Sequence, residues 1–267
     1  MANIQGAILS WYDQNKRELP WRTSKNPYFI WISEVVLQQT RVEQGAPFFY
    51  RLTSVFPSIE DLASADEKDV LLAWKGLGYY SRARNLHKAA RQIMEIHQGV
   101  FPTNHTELIK LAGIGGYTAA AISSISFNEP VAAIDGNVIR IVSRLLDLPG
   151  QVESAQTTKV IKEFANEILS KNRPGDFNQA LMDLGSLICT PKSPACPECP
   201  VMEVCIARAN NSQHLRPVKK PKKKAVNRFL IFKIIINQGK ILMVQQQKGS
   251  IWENLHLFPF DEHPSEE

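Results

Sequence analysis

Two carboxylates in contrasting settings are the residues best suited to chemistry. Glu34 lies in "WISEVVLQQT" (residues 31–40), a stretch that otherwise reads as buried helix. At helical spacing its neighbours are Ile30, Trp31, Leu37 and Gln38, three apolar and none basic. A carboxyl desolvated without a cation is pushed towards its protonated form. The alternative is a glutamate on the solvated side of an imperfectly patterned helix. Asp135 follows the apolar "PVAAI" and precedes the amphipathic "NVIRIVSRLL". That is a helix N-cap, and backbone N–H bonds hold a capping carboxylate in its charged form. One neutral acid and one anion suit glycosidic cleavage. The first protonates a leaving group and the second faces the cationic sugar left behind.

Cys189, Cys196, Cys199 and Cys205 account for all the cysteines, spaced C-x6-C-x2-C-x5-C. Four thiolates this close can enclose a tetrahedral zinc or an iron–sulfur cluster. Zinc sites usually pair two Cys-x-x-Cys knuckles, and only Cys196 and Cys199 form one. The spacing calls for a metal and leaves its identity open.

Two glycine turns offer contacts for a polyanion. "LAGIGGYTAAAI" (residues 111–122) puts Gly113, Gly115 and Gly116 before a helix of small residues. Glycine allows close backbone approach, and a helix start presents unpaired N–H groups to phosphate. The same glycines would equally serve a plain corner between helices. "GLGYYSRARNL" (residues 76–86) carries Tyr79 and Tyr80 beside Arg82 and Arg84. A ring can wedge into a base stack while a guanidinium meets phosphate, although an ordinary exposed turn looks similar.

The elements that must position these groups are helical up to about residue 210. Ile4, Ala7, Ile8, Trp11 and Tyr12 form one apolar face; Asp66 can cap a helix bearing Val70, Leu71 and Trp74. Further stripes end at Gly99, at "RPGD" and at Cys189. "RPVKKPKKK" (residues 216–224) reads as a basic linker with nothing to bury. "RFLIFKIII" and "KILMVQQQ" then flank "NQGK", a hairpin signal. The 267 residues carry a net charge of +5 and a pI near 9.0, a mild bias towards nucleic acid. No run approaches the roughly 18 apolar residues of a membrane span, and the polar N-terminus does not resemble a signal peptide. An intracellular, DNA-associated protein is expected, in the nucleoid if bacterial.

The cysteine spacing and the preceding "FNQALMDLGSLIC" resemble the [4Fe–4S] loop of the endonuclease III and MutY branch of DNA glycosylases. "ELPWR", "SEVVLQQT", "GLGYYSRARNLHKAA", "GIGGYTAAAI", "IDGNVIR" and "ARANNS" occur in the order seen in MutY-type adenine DNA glycosylases. The resemblance implies an all-α, two-module helix-hairpin-helix fold. A six-helix barrel would span residues 25–130, and a cluster module would combine residues 1–24 and 131–215. A linker at 216–225 and a partial MutT-like segment at 226–267 would follow. It further implies hydrolytic removal of adenine mispaired with 8-oxoguanine or guanine in double-stranded DNA, by a monomer with a [4Fe–4S] cluster.

By that resemblance Glu34 protonates adenine N7 and Asp135 supports the oxocarbenium-like sugar. Tyr117 and Asn137 contact the nucleotide and the carboxylates, while Gln39 and Tyr79 wedge into the duplex. Arg82, Gly113, Gly115 and Arg22 contribute DNA or pocket contacts. Ala112 departs from the usual proline of the hairpin. Only the opening of the MutT-like domain is present, and with it a weakened preference for 8-oxoguanine is expected. The rival readings are an endonuclease III-like lyase, which carries lysine where this chain has Tyr117, and a non-catalytic metal-stapled DNA-binding module.

Overall fold

The structure is a computed structural model that describes residues 4–221, 227–247, 249–250, 252 and 255–263. It divides into two compact units, Met1–Lys220 and Pro221–Glu267. No helix among the described residues is long and apolar enough to cross a membrane.

The first unit is helical and contains two separate apolar cores. One core is built from α2 (Pro27–Val36), α3 (Val42–Val55), α4 (Ile59–Ser64), α5 (Glu67–Trp74), α6 (Ser81–His97), α7 (His105–Leu108) and α8 (Gly116–Phe127). Residues 25–130 thus hold seven helical segments where six were expected, two of them very short. α2 begins at Asn26, whose side chain accepts the Tyr28 N–H, with Pro27 in the first turn, where its missing donor costs nothing. It is buried on nearly every side, and its packing against α3 and α8 fixes the orientation of Glu34. Trp21 joins this core through an edge-on contact with Phe49, although residues 1–24 were expected in the other module. Asp66 occupies a cap position but makes no capping bond; its carboxylate pairs with Lys68 instead.

The second core gathers α1 (Ile4–Asn15), α9 (Gly136–Leu145), α10 (Ala155–Glu167) and α11 (Pro174–Leu187), with Val201 of the cysteine segment. α11 packs on α1, α9 and α8, so it joins the two cores. The joint is tight at Gly175: a Cβ there would lie 2.6 Å from the Ile125 Cα and 2.7 Å from the Ser124 carbonyl oxygen.

The start of the expected linker is anchored. Arg216 pairs with Asp147 at 2.8 Å, Val218 accepts the Val152 N–H, and the Lys220 N–H reaches Glu153. One backbone donor and two carboxylates hold this basic run, a signal that charge counting along the chain cannot show. Residues 222–225 of that expected linker lie outside the described residues. In the second unit, β2 (Ile236–Asn237) and β3 (Lys240–Ile241) form the expected hairpin around Gln238 and Gly239, both with positive φ. β1 (Phe229–Phe232) pairs antiparallel with β6 (Phe260–His263), and β4 (Val244–Gln245) with β5 (His256–Leu257).

Gly175→Ala should destabilise the first unit by about 2 kcal/mol, because backbone on both sides of the joint must move. Thermal melting followed by circular dichroism would measure it as a lowered midpoint.

Candidate active site

A cleft of about 760 Å³ is lined from one side by Glu34 and Tyr117 and from the other by Asp135 and Asn137. Residues a hundred positions apart therefore share one cavity. Asp135 caps α9: Oδ1 accepts the N–H groups of Asn137 and Val138 at 2.9 and 2.8 Å, and Oδ2 accepts the Asn137 side-chain amide at 2.7 Å. The extended segment before it is pinned by Asn178, fully buried on α11. The Asn178 amide donates to Ser124 Oγ and the Val131 carbonyl, and its oxygen accepts the Ala133 N–H. Both cores thus meet at the segment that delivers Asp135.

Burial pushes the Glu34 carboxyl up to about 7, the negative charge of Asp135 adding to the effect. A hydrogen bond from Tyr117 and the positive charge of Arg22 oppose it. The Tyr117 hydroxyl also lies 3.7 Å from Met182 Sδ and is itself pushed up by burial. Asp135 departs from the sequence reading. Burial raises it above its ordinary value despite the bonds from Val138 and Asn137 and the charge of Arg140. The two carboxyls are displaced in the same direction, Glu34 by the larger margin. Capping bonds reduce the cost of desolvation at Asp135 without cancelling it.

Arg22 lines this cleft but is not a free cation. Its guanidinium grips Asp183 with Nη1 at 2.6 Å and Nη2 at 3.0 Å. Asp183 is 0% exposed, also pairs with Arg17, and is held below the usual carboxylate range by these two arginines. Asp183 escaped the sequence reading, although the signal that marked Glu34 applies to it. Its helical neighbours Gln179, Ala180, Ser186 and Leu187 include no cation.

Gln39 stands exposed at the cleft mouth, and Tyr79, outside the cleft lining, is 65% exposed. Gly113 has φ near +72°, and a Cβ there would strike Asn85 at 2.6 Å. Gly115 forms the N-cap of α8 with no side-chain cap, and a Cβ there would meet open space, which leaves the first N–H groups of the helix approachable. Arg82 does not face solvent as a phosphate contact. Its two Nη groups donate to carbonyl oxygens of the protein.

Cys189, Cys196, Cys199 and Cys205 line one small cavity. Burial and the neighbouring sulfurs push the Cys199 thiol up to about 11 and raise Cys205 as well. Thiols that repel one another as anions in a shared, desolvated space call for a cationic centre. The four cysteines share this lining with Arg144 and Arg208. Arg144 donates to Cys189 Sγ at 3.2 Å and to the Thr190 carbonyl. Arg140 joins the Cys189 carbonyl at 2.7 Å to the Asn137 oxygen at 2.8 Å, and Asn137 holds Asp135.

Residues 32–171 match the family model described as HhH-GPD superfamily base excision DNA repair protein. Residues 189–205, which span all four cysteines, match the iron-sulfur binding domain of endonuclease III. The chain is 40% identical over 253 residues to the adenine DNA glycosylase of Buchnera aphidicola subsp. Schizaphis graminum, covering 94% of this chain and 73% of that protein. It is 41% identical over 219 residues to the human adenine DNA glycosylase, covering 79% of this chain and 40% of that protein. A solved structure of a thermostable thymine-DNA glycosylase superposes with a TM-score of 0.71 at 26% identity, covering 77% of this chain and 95% of that one.

A titration by carbon-13 NMR of labelled glutamates should show one carboxyl with its midpoint near neutrality, missing in Glu34→Gln. In Asp135→Asn that midpoint should fall, because the charge that raises it is gone. A folded-state value above the unfolded one means that folding takes up a proton. The parent should therefore lose stability relative to Glu34→Gln as pH rises from 4.5 through about 7, by on the order of 3 kcal/mol at most. Below pH 4.5 the difference should vanish in chemical denaturation.

Proposed function

This chain belongs to the adenine DNA glycosylases within the HhH-GPD superfamily of base excision DNA repair proteins, and we propose that its substrate is adenine opposite 8-oxoguanine or guanine in duplex DNA, released by Glu34 and Asp135. It is a hydrolase of N-glycosyl bonds that removes adenine. The single observation that carries the residue assignment is the sharing of one cleft by these two carboxyls, Glu34 pushed up to about 7.

An adenosine turned out of the helix fits a cleft of this size. Glu34, half protonated near neutrality, donates its proton to adenine N7. The C1′–N9 bond then breaks, its electron pair leaving with the neutral base. Asp135, anchored by Asn137 and Val138, faces the positive charge that develops at C1′ and O4′. Water adds at C1′ and gives up a proton to the Glu34 carboxylate, restoring the acid. Tyr117 steadies Glu34 by hydrogen bonding; in this reading it also excludes an amine nucleophile from that position, so no Schiff base forms.

Gly115 and the bare start of α8 hold a phosphate of the bound strand, and Gly113 gives the turn its shape. Gln39 and Tyr79 enter the duplex at the mispair. The two apolar cores support residues 25–130 as a barrel module and residues 1–24 with 131–215 as a cluster module, except that Trp21 packs with the barrel. The chain uses a [4Fe–4S] cluster, which Cys189, Cys196, Cys199 and Cys205 would hold. Held there, the group would cross-link residues 189–205 into one loop. The protein acts as a monomer on DNA inside the cell.

Glu34→Gln is nearly isosteric and cannot supply a proton. Under single-turnover conditions on duplexes with adenine opposite 8-oxoguanine or guanine, it should lose adenine release by at least about 100-fold. Its affinity for the mispair should remain within a few-fold of the parent. Release at the parent rate would exclude proton donation by Glu34, and efficient borohydride trapping by the parent would replace hydrolysis with amine attack.

A further inference from the structure

Both Nη groups of Arg82 are spent on main-chain oxygens, while its buried Nε has no partner among the described residues. Nη1 donates to the carbonyls of Val35, Val36 and Gln38 at 3.0, 3.2 and 2.6 Å. Nη2 donates to those of Leu77 and Gly78, both at 3.3 Å. The guanidinium lies 5.1 Å from the centroid of the Trp74 ring and 5.5 Å from that of Tyr79, and Trp74 Nε1 donates to the same Gly78 carbonyl at 2.9 Å. No carboxylate pairs with Arg82 among the described residues. Burial therefore makes the cation costly and pulls it below its ordinary value.

What offsets that cost is the geometry at two chain ends. α2 stops at Val36, and its last carbonyls carry the negative end of the helix dipole. The Gly76–Gly78 turn presents its own carbonyls towards the same point. Each acceptor group directly precedes a residue in the left-handed region: Gln39, with φ of 57°, follows Gln38, and Tyr79, with φ of 49°, follows Gly78. Such backbone in a non-glycine residue costs on the order of 1 kcal/mol and persists only where its surroundings impose it. Both side chains are exposed.

We propose that Arg82 is a positioning residue that clasps the end of α2 to the Gly76–Tyr79 turn, holding Gln39 and Tyr79 as one rigid wedge. The proposal rests on the reading above that these two side chains enter the duplex at the mispair. One planar, forked cation reaches both turns at once, which a single ammonium cannot do. The same grip bears on Val35 and Val36, so the turn that follows Glu34 is fixed by the clasp as well.

Arg82→Lys keeps the charge and removes the fork. The test compares its affinity for mispaired and fully matched duplexes over a salt series, with the parent and Tyr79→Ala alongside. The ratio of mispair to matched affinity should fall about 10-fold in Arg82→Lys, with matched-duplex affinity and its salt slope unchanged. Adding Arg82→Lys to Tyr79→Ala should lower the ratio no further than Tyr79→Ala alone, since both act through one wedge. A salt slope reduced by about 1, with both affinities falling together, would make Arg82 a phosphate contact and overturn the proposal. A ratio kept in Arg82→Lys but lost in Tyr79→Ala would refute the clasp and spare the wedge. A ratio kept in Tyr79→Ala and Gln39→Ala would refute the wedge, and the clasp with it. Should Arg82→Lys fail to fold, nitrogen-15 NMR of the parent decides. The Arg82 Nη protons should be resolved and exchange-protected before and after mispaired DNA is added, and averaged, rapidly exchanging signals would overturn the clasp.

Discussion

Two carboxyl groups in one poorly solvated cleft repel each other as anions, and the rest of the chain is arranged to bear that conflict. Neither is relieved by a direct ion pair. Arg22, whose charge acts on Glu34, is itself held by Asp183. Were it free to pair with Glu34, that carboxyl would be held ionised. Asp183 therefore bears on the Glu34 carboxyl by occupying an arginine, an effect that the cleft lining alone would not reveal.

The asymmetry between the carboxyls has a structural origin. Asp135 sits at a helix start and receives three hydrogen bonds, whereas Glu34 lies in the last turn of α2, where the backbone has no free N–H to offer. Secondary structure alone thus separates their behaviour, although burial raises both. The division requires two helices from different cores to converge on the cleft. Asn178 and the close approach of Gly175 to α8 accomplish this from the same helix, α11.

Much of this was legible before any coordinates. The lack of cations around Glu34, the capping position of Asp135, the cysteine spacing and the glycines of the hairpin are local patterns, and each led to the correct element. What failed was nonlocal. Arg82 and Arg22 look like surface cations in sequence, and only the fold brings carbonyls or a carboxylate from 4 to 161 positions away to meet them. Capping bonds at Asp135 were correctly foreseen, but their competition with burial was not, since depth is a property of the assembled cores. The basic run after residue 215 likewise reads as solvated until Asp147 and Glu153 are seen beside it.

The partners of α1 and the turn after it lie far along the chain. Arg17 and Arg22 meet Asp183 across 166 and 161 positions, and α1 buries its apolar face on α11. During synthesis the first helix leaves the ribosome long before its counterpart exists. Ile8 and Tyr12 must then wait in solution, or in the keeping of a chaperone, while the helices of the other core emerge and fold. The order in which this protein is made thus sets its period of greatest exposure at the N-terminus, and the cleft wall is among the last features to close.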